Sequence, residues 1–472
     1  AESQMMHETE DIIKKEMDFL PLTTNANIHE GNALRMDWKE ILPPADNVRI
    51  LGNPPFVGLA LRSKEQQDDM ALVFAGNHRA GRLDYVAAWY AKAATYMQNT
   101  KIEAAFVSTN SITQGEQVPI LWQELLNDKH ISINFAYRTF RWNSESIDKA
   151  AVHCVIIGFS YDECKDKLLY DGSLVSHVDK INGYLVPAKS VFIQLRGKPQ
   201  DGFPKLVQGN KPWDGQNLIL SAEDRAELIK KYPVANTFIK PYIGSREFIN
   251  NLRRYCLWLK NISPSIYRNI PEIKQRLEAV AEVRRKTKTV AVQAQADTPM
   301  LFSQIRQPTT AYLAIPEVSS ESRRYIPIGY LSPEVIASNK LYVLPNANMY
   351  LFGVLISNVH MAWMRAVCGR LKSDYSYSPS VYNNFPWPTP TDKQRAAIEQ
   401  TAQGILDARA LYPDSSLADL YDPVTMPPEL LKAHRANDKA VMQAYGFWGK
   451  LNSESECVAE LMKMYEELVR KN

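Results

Sequence analysis

The sequence is poor in cysteine, and its cysteines have no paired spacing. Five cysteines are scattered over 472 residues, and no two of them are separated by only two residues. An odd number of scattered cysteines argues against a disulfide framework, and the lack of a Cys-x-x-Cys pair argues against a structural zinc site. We therefore expect no metal ion and a reducing compartment, the cytoplasm.

Long apolar runs and a strong net charge are also missing. The most apolar stretch, residues 349–363, is interrupted by glycine, serine, asparagine and histidine and is too short to cross a bilayer. Lysine and arginine number 55 against 52 acidic residues, so the net charge of +3 indicates no particular partner. We expect no membrane association, and only local basic clusters can indicate what the protein binds.

Residues 25–160 have the pattern of an α/β domain, because short apolar runs alternate there with helical patterns. The pattern predicts strands at residues 26–28, 48–51, 104–108, 131–136 and 151–159, and helices at residues 84–98 and 118–127. We expect a mostly parallel sheet. Its last two strands leave no room for a helix between them and should form an antiparallel hairpin at the sheet edge.

The composition of the sequence changes after residue 160. Residues 166–388 contain many glycines and prolines between short mixed segments, which is typical of a loop-rich α+β domain. A Pro-Trp-Pro-Thr-Pro run at residues 386–390 marks a stiff boundary. Three helices are predicted beyond it, at residues 391–411, 428–444 and 453–470. The predicted domains are therefore residues 1–165, 166–388 and 389–472.

The sharpest motif is Asn53-Pro54-Pro55-Phe56, directly after the strand predicted at residues 48–51. This position is the carboxyl edge of the sheet, where α/β folds bind ligands. The prolines fix the backbone, so the Asn53 side-chain oxygen and the Pro54 carbonyl can both accept hydrogens from an exocyclic amine. Two acceptors pull the amine nitrogen towards tetrahedral geometry and free its lone pair to attack an electrophilic methyl, while Phe56 stacks on the base. The alternative is a tight turn capped by a packed phenylalanine.

This motif resembles the catalytic motif of amino-group DNA methyltransferases that modify adenine N6. Other segments resemble, in order and over nearly the whole chain, the MmeI-like branch of single-chain type II restriction-modification enzymes. Residues 27–34 and 37–38 resemble the segment before the motif. The segments that resemble the target-recognition domain and the C-terminal helical piece are residues 242–248, 254–259, 319–327, 368–373, 382–388 and 420–428.

The resemblance implies a fold and a function. The expected fold is α/β, with a partial Rossmann-like class I methyltransferase sheet, followed by an α+β target-recognition domain and a C-terminal helical segment. The expected function is site-specific methylation of adenine N6 in double-stranded DNA with S-adenosylmethionine, after the base is flipped out of the helix. A monomer in the bacterial cytoplasm is expected.

The resemblance also implies two auxiliary sites. Asn32 lies where such enzymes contact the cofactor, and Phe140 and Trp142 lie where a second aromatic flanks the flipped base. The alternatives are a polar residue that ends a strand and a hairpin filled by aromatics.

The sequence departs from the family pattern in its glycines. Only Gly31 and Gly52 precede Asn53, and no Gly-x-Gly occurs anywhere in the chain. The glycine-rich S-adenosylmethionine loop is therefore missing, as is the metal-dependent nuclease domain. We expect this chain to be a C-terminal portion of a longer protein that binds S-adenosylmethionine weakly by itself.

Basic clusters after the catalytic part predict a DNA-binding surface. Residues 246–288 hold eleven lysines and arginines against four glutamates, an excess that suits phosphate binding. The alternative is an ordinary solvated helix surface. The residues predicted to contact DNA are Arg246, Arg253, Arg254, Arg284, Arg285, Lys286, Arg323, Arg324, Arg370, Lys372 and Asp374.

Lys372 and Asp374 form the most specific part of this prediction. They are two apart in a segment without a helical or apolar pattern, so an extended conformation would put both side chains on the same face. Lysine donates to guanine and aspartate accepts from cytosine, which together complement one G·C pair in the major groove. A surface ion pair is the alternative.

Two other functions stay open at this point. The chain could be a DNA-binding specificity module without catalysis. It could instead belong to an N-methyltransferase of protein glutamine or RNA, because those enzymes have similar Asn-Pro-Pro motifs. The long arginine-rich region after the catalytic part favours duplex DNA.

Overall fold

The computed structural model describes residues 27–142, 152–371 and 373–470 and divides the chain into two units, residues 1–43 and 44–472. In the first unit, the described residues contain the short helix Trp38–Ile41, which is capped by Asp37. The strand expected at residues 26–28 is wrong for its described part, because residues 27–30 have no regular structure. Ile28 is exposed and supplies no apolar face for a strand.

The second unit begins with a six-stranded sheet. Its strands are β1 (Arg49–Gly52), β2 (Glu103–Thr109), β3 (Ser132–Trp142), β4 (Val152–Ser160), β5 (Lys167–Asp171) and β6 (Leu174–Val178). They lie in the order β1-β2-β4-β3-β5-β6. The α/β class is confirmed, but the expectation of a mostly parallel sheet is wrong. Only β1–β2 and β3–β5 pair in parallel, because the chain returns through hairpins rather than helical crossovers after β3.

The expected antiparallel hairpin is formed by β3 and β4, but it does not lie at the sheet edge. The strands β5 and β6 extend the sheet beyond β3, past the domain boundary predicted at residue 165. A tight turn joins them, in which Asp171 pairs with Leu174 and Gly172 has a φ of +60°. Inside the hairpin of β3 and β4, Gly158 lies against the ring of Phe135, leaving no room for a side chain.

The helix Ala87–Tyr96 packs on this sheet and confirms the helix predicted at residues 84–98. Its Tyr90 ring centroid lies 5.2 Å from those of both Phe106 and Phe159. The Tyr90 hydroxyl shares a 2.7 Å hydrogen bond with Ser108. The other helices of this region are Lys64–Val73 and Gln117–Trp122, the latter continued by a π-helical turn over Gln123–Asp128.

Three smaller sheets and several helices follow, which agrees with the expected α+β region. The strands are β7 (Val207–Gln208), β8 (Ile219–Leu220), β9 (Ile239–Ile243), β10 (Tyr255–Leu257), β11 (Tyr312–Pro316), β12 (Val318–Ser319), β13 (Gly329–Leu331), β14 (Ile336–Ala337), β15 (Leu341–Pro345), β16 (Gly369–Leu371) and β17 (Asp374–Ser376). The sheets have the orders β14-β9-β10-β8, β13-β11-β15-β7 and β12-β17-β16. The helices are Ala222–Lys231, Ser245–Asn250, Pro264–Tyr267, Pro271–Lys286, Val290–Gln293, Met349–Leu355, Asn358–Val367 and Pro379–Asn383.

The C-terminal part is helical, as predicted. Its helices are Asp392–Ala410, Leu417–Leu420, Pro428–Tyr445 and Glu454–Arg470. Gly353 packs against the first of them, since a Cβ at this position would lie 2.7 Å from Ile398. The buried Asn437 donates to the Gly353 carbonyl at 2.8 Å and ties the third helix to the same place. Among the described helices, none has the length and apolar character of a membrane span.

Candidate functional site

The motif Asn53-Pro54-Pro55-Phe56 lies immediately beyond the carboxyl end of β1. Asn53 is exposed, Pro54 is buried and the Phe56 ring is half-buried. Within the described ranges, neither the Asn53 side chain nor the Pro54 carbonyl takes part in a hydrogen bond. Both acceptors are therefore available to an incoming donor.

A buried aspartate holds the loop that follows the motif. One carboxylate oxygen of Asp84 accepts from the backbone amide of Leu59 at 3.0 Å, and the other accepts from the hydroxyl of Ser111. Ser111 lies just beyond β2 and is 2.8 Å from the Thr109 hydroxyl. Asp84 thus links the segments that leave the carboxyl ends of β1 and β2. It is not predicted from the sequence, where the only signal is an acid just before the helix Ala87–Tyr96.

The aromatics Phe140 and Trp142 lie at the end of β3, which runs in the same direction as β1. Their ring centroids are 6.3 Å apart, and Trp142 is 38% exposed. They lie at the same edge of the sheet as Asn53. Two strands separate β1 from β3, which corresponds to about 14 Å between backbones. Their role beside a flipped base stays a prediction.

Asn32 closes a turn in the first unit. Its side-chain oxygen accepts from the Leu34 amide at 3.0 Å, and the Trp38 indole donates to the Ala33 carbonyl at 2.8 Å. The Asn32 oxygen is thus engaged locally, and the sequence has no Gly-x-Gly loop. The described residues therefore do not fit S-adenosylmethionine as a complete site.

The predicted phosphate contact is wrong for Arg284. This side chain is fully buried under the helix Pro271–Lys286, and burial lowers its pKa. All five of its N–H donors bind backbone carbonyls at 2.7–3.1 Å. The helical period of the sequence could have indicated that Arg284 is buried, because Arg284 lies on the same helical face as the buried Ile273, Val280 and Ala281.

The other basic residues of this stretch differ in how accessible they are. Arg254 is half-buried, pairs with Glu247 at 3.1 Å and lies over the Tyr242 ring. Lys286 is exposed and pairs with Glu282 at 2.6 Å. Among the residues predicted to contact DNA, Arg246, Arg253 and Arg285 are also exposed.

Four of the predicted DNA-contacting residues come together on or beside the sheet β12-β17-β16. Arg323 and Arg324 follow β12, Arg370 lies on β16 and Asp374 begins β17. Arg323 and Arg324 are half-buried and exposed, respectively, and Asp374 is half-buried. Burial lowers the pKa of Arg323, and the nearby Asp374 opposes that shift.

The expected extended segment around Lys372 and Asp374 is wrong. Leu371 pairs with Asp374, so the chain reverses between them, and simple alternation of side chains does not apply. Lys372 itself lies outside the described residues. In the described part of the chain, no cluster of three His, Cys, Asp or Glu side chains could hold a metal ion.

Three family models match the chain. They are the MmeI DNA-methyltransferase domain over residues 1–171, the MmeI target recognition domain over 187–389 and the MmeI C-terminal domain over 390–471. The chain belongs to the MmeI family. Asn53, Asp84 and Phe140 fall within the methyltransferase match, and the sheet β12-β17-β16 falls within the target recognition match.

Two relatives support this assignment to the MmeI family. DNA methyltransferase A of Bacillus subtilis (strain 168) is 38% identical over 476 residues, which cover 100% of this chain and 54% of that protein. The solved structure of the type IIL restriction-modification enzyme MmeI in complex with DNA is 44% identical, with a TM-score of 0.87. That match covers 99% of this chain and 63% of the MmeI chain. The chain thus spans little more than half the length of these relatives.

Proposed function

We propose that the protein is a site-specific DNA methyltransferase that acts on N6 of adenine in duplex DNA. The observation that carries this proposal is the motif Asn53-Pro54-Pro55-Phe56 at the carboxyl end of β1, where two oxygen acceptors have no partner among the described residues. Membership of the MmeI family supports methylation as the reaction.

In the proposed reaction, the amine of the target base donates one hydrogen to the Asn53 side-chain oxygen and one to the Pro54 carbonyl. These contacts draw the conjugated nitrogen out of planarity, so its lone pair becomes available to an electrophile. Phe56 supplies the stacking face for the base. Because this amine is paired inside duplex DNA, the base has to leave the helix to reach Asn53.

S-adenosylmethionine is the proposed methyl donor of the complete protein, and it supplies an electrophilic methyl group. The described residues do not fit it as a complete site, so the chain by itself is proposed to bind DNA without methylating it. We also propose that the protein acts as a monomer in the bacterial cytoplasm.

Duplex DNA is the proposed partner. The solved MmeI structure is a complex with DNA, and exposed cations occur in the same family domain of this chain. Arg324 lies beside the sheet β12-β17-β16, and Arg246, Arg253, Arg285 and Lys286 lie on other exposed segments. We propose that the sheet reads bases and that the other cations bind phosphates.

The proposal is tested by replacing Asn53 with alanine in the complete protein. One acceptor for the amine is lost while the DNA-binding surface is untouched, so we expect kcat to fall by at least about 100-fold, comparable to loss of one preorganised polar group. Duplex affinity should stay within about twofold. Asn127→Ala, at an exposed position before β3, is the matched control.

Nucleoside analysis of the product identifies the methylated atom. N6-methyladenine supports the proposal, whereas methylated cytosine or methylated protein would contradict it. An equal loss of affinity and turnover in Asn53→Ala would make Asn53 a structural residue.

A further inference from the structure

The hairpin formed by β16 and β17 lies within the target recognition match. It approaches the six-stranded sheet and the segment beyond β2 at two places. The first is a direct contact between backbones. Gly115, which follows β2, has a φ of +53°, and a Cβ built on it would lie 3.3 Å from the Cα of Gly369. Gly369 is the first residue of β16. Glycine therefore lets the hairpin rest closely on the segment beyond β2.

The second contact is a bridge made by one carboxylate. Glu321 Oε2 is 3.3 Å from Arg370 Nη1, and Glu321 Oε1 is 3.5 Å from His153 Nε2. The side chains of Arg370 and His153 are only 13% and 11% exposed. Glu321 itself is 30% exposed, so the bridge is partly removed from water, and its charged contact with Arg370 is stronger than one at an open surface.

The bridge joins elements of two different family domains. Glu321 follows β12 and Arg370 lies on β16, both within the target recognition match, whereas His153 lies on β4 within the methyltransferase match. His153 pairs with Arg141 at the end of β3. It therefore lies at the carboxyl edge of β1 and β2, the edge that also holds Asn53.

Arg370 is held rigidly on the hairpin side of the bridge. Its Nη1 donates to the Ser373 carbonyl at 2.7 Å, and its guanidinium lies 3.9 Å from the centroid of the Tyr375 ring. These contacts connect both strands of the hairpin and its turn. The contact of Glu321 with Arg370 therefore fixes the position of the whole hairpin and not of one side chain alone.

We propose that Glu321 is a positioning residue that fixes the base-reading hairpin relative to Asn53. This inference rests on the proposed function, since it assumes that the hairpin reads DNA and that Asn53 receives the flipped base. The bridge keeps a constant separation between the base pair that is read and the adenine that is methylated. Glu321 itself touches neither the base nor the methyl donor.

The test is Glu321→Gln in the complete protein, assayed for duplex affinity and single-turnover methylation. The glutamine keeps the size of the side chain and removes its charge. The hairpin keeps its own base contacts, so we expect affinity within about twofold, while looser alignment lowers the methylation rate about tenfold. Glu334→Gln, which removes the pairing of Glu334 with Lys240 inside the recognition domain alone, is the control.

A second variant, His153→Phe, removes the other end of the bridge. It tests the inference if Glu321→Gln fails to fold. We expect the same loss of rate, and the double variant should be no slower than either single variant, because both break one bridge. Unchanged rates, additive losses or an equal loss of DNA affinity would overturn the inference. A wild-type protein that methylates no duplex DNA overturns the proposed function and this inference together, whereas normal wild-type methylation with unaffected variants overturns this inference alone.

Discussion

Arg284 shows how one residue type can mislead within a basic run. It lies next to the exposed Arg285, yet its five donors bind carbonyls of the residues Pro212, Trp213, Gln295, Thr298 and Leu301. A count of basic residues does not distinguish the two arginines. The helical period does, because it puts Arg284 on the buried face of the helix and Arg285 on the exposed face. A positive count over residues 246–288 therefore overstates the surface that can reach phosphates.

We expect Arg284→Ala to lower the free energy of unfolding by at least about 4 kcal/mol, because each buried group left without a partner costs about 1–3 kcal/mol. Arg285→Ala should change stability by less than about 0.5 kcal/mol. In DNA binding the order reverses, and Arg285→Ala should reduce the slope of log affinity against log salt by about 1. Urea unfolding and salt titration measure the two effects. Similar stability losses in both variants would contradict the assignment of Arg284 to the interior.

Asp438 gives the chain a predictable response to pH. It accepts from the Tyr325 hydroxyl at 2.6 Å and the Asn358 amide at 2.8 Å, but burial outweighs these bonds and raises its pKa to about 6. The folded state therefore binds this proton more tightly than the unfolded state. The stabilisation is complete below the unfolded pKa near 4 and is lost as pH rises through 6.

We expect Asp438→Asn to remove this pH dependence. The difference in unfolding free energy between wild type and variant should change by about 3 kcal/mol between pH 4 and pH 7, with wild type losing stability over that range. Denaturant titrations at several pH values measure it. A constant difference would mean that Asp438 titrates normally in the folded protein.

At the scale of elements, the sequence predicts those strands and helices that carry their own apolar pattern. β2 alternates buried and half-buried residues, and the helix Ala87–Tyr96 buries one continuous face, so both are found from periodicity. β6 is exposed along most of its length, and its hydrogen bonds to β5 define it. Its apolar residues Leu174 and Val175 are largely exposed, so the strand depends on its partner and not on a buried face of its own.

In the candidate site, too, some features can be predicted from local sequence and others depend on contacts between distant residues. The motif at the end of β1 is visible in the sequence because Asn53, Pro54 and Phe56 are adjacent. Asp84 is 25 residues from the Leu59 amide that it binds, so this contact exists only in the folded chain. The Glu321 bridge likewise joins residues far apart in sequence. Local patterns can therefore predict the motif but not the groups that hold it in place.

We expect Asp84→Ala in the complete protein to slow methylation about tenfold, because the loop after the motif loses its fixed attachment to the segment beyond β2. DNA affinity should stay within about twofold, since the sheet β12-β17-β16 is unchanged. Asp68→Ala is the control, because Asp68 is exposed and forms an ion pair with Lys64 at 2.8 Å. Single-turnover methylation and duplex binding decide the outcome. A rate equal to that of the control would show that Asp84 does not position the motif.

At the scale of the whole molecule, the order of matched family domains agrees with the order of resemblances along the sequence. The resemblance succeeds because each block contributes local identities that need no folded structure. It cannot supply what depends on contacts between domains, such as the close approach of Gly115 to Gly369. The proposed recognition residues and the proposed catalytic motif can therefore each be predicted from the sequence, while their mutual alignment is visible only in the fold.

The cofactor is the last property that belongs to the whole molecule. This chain covers 54% of DNA methyltransferase A and contains no Gly-x-Gly loop, and the Asn32 oxygen is engaged by the Leu34 amide. We expect calorimetric titration of these 472 residues with S-adenosylmethionine to give no micromolar binding, while the same chain still binds duplex DNA with a steep salt dependence. The complete protein should bind the cofactor, and its Asn53→Ala variant should bind it equally well, because Asn53 is proposed to contact the amine and not the methyl donor. Micromolar binding by the 472-residue chain would mean that a cofactor site exists without a glycine-rich loop, and would overturn the separation of recognition from cofactor binding proposed for this chain.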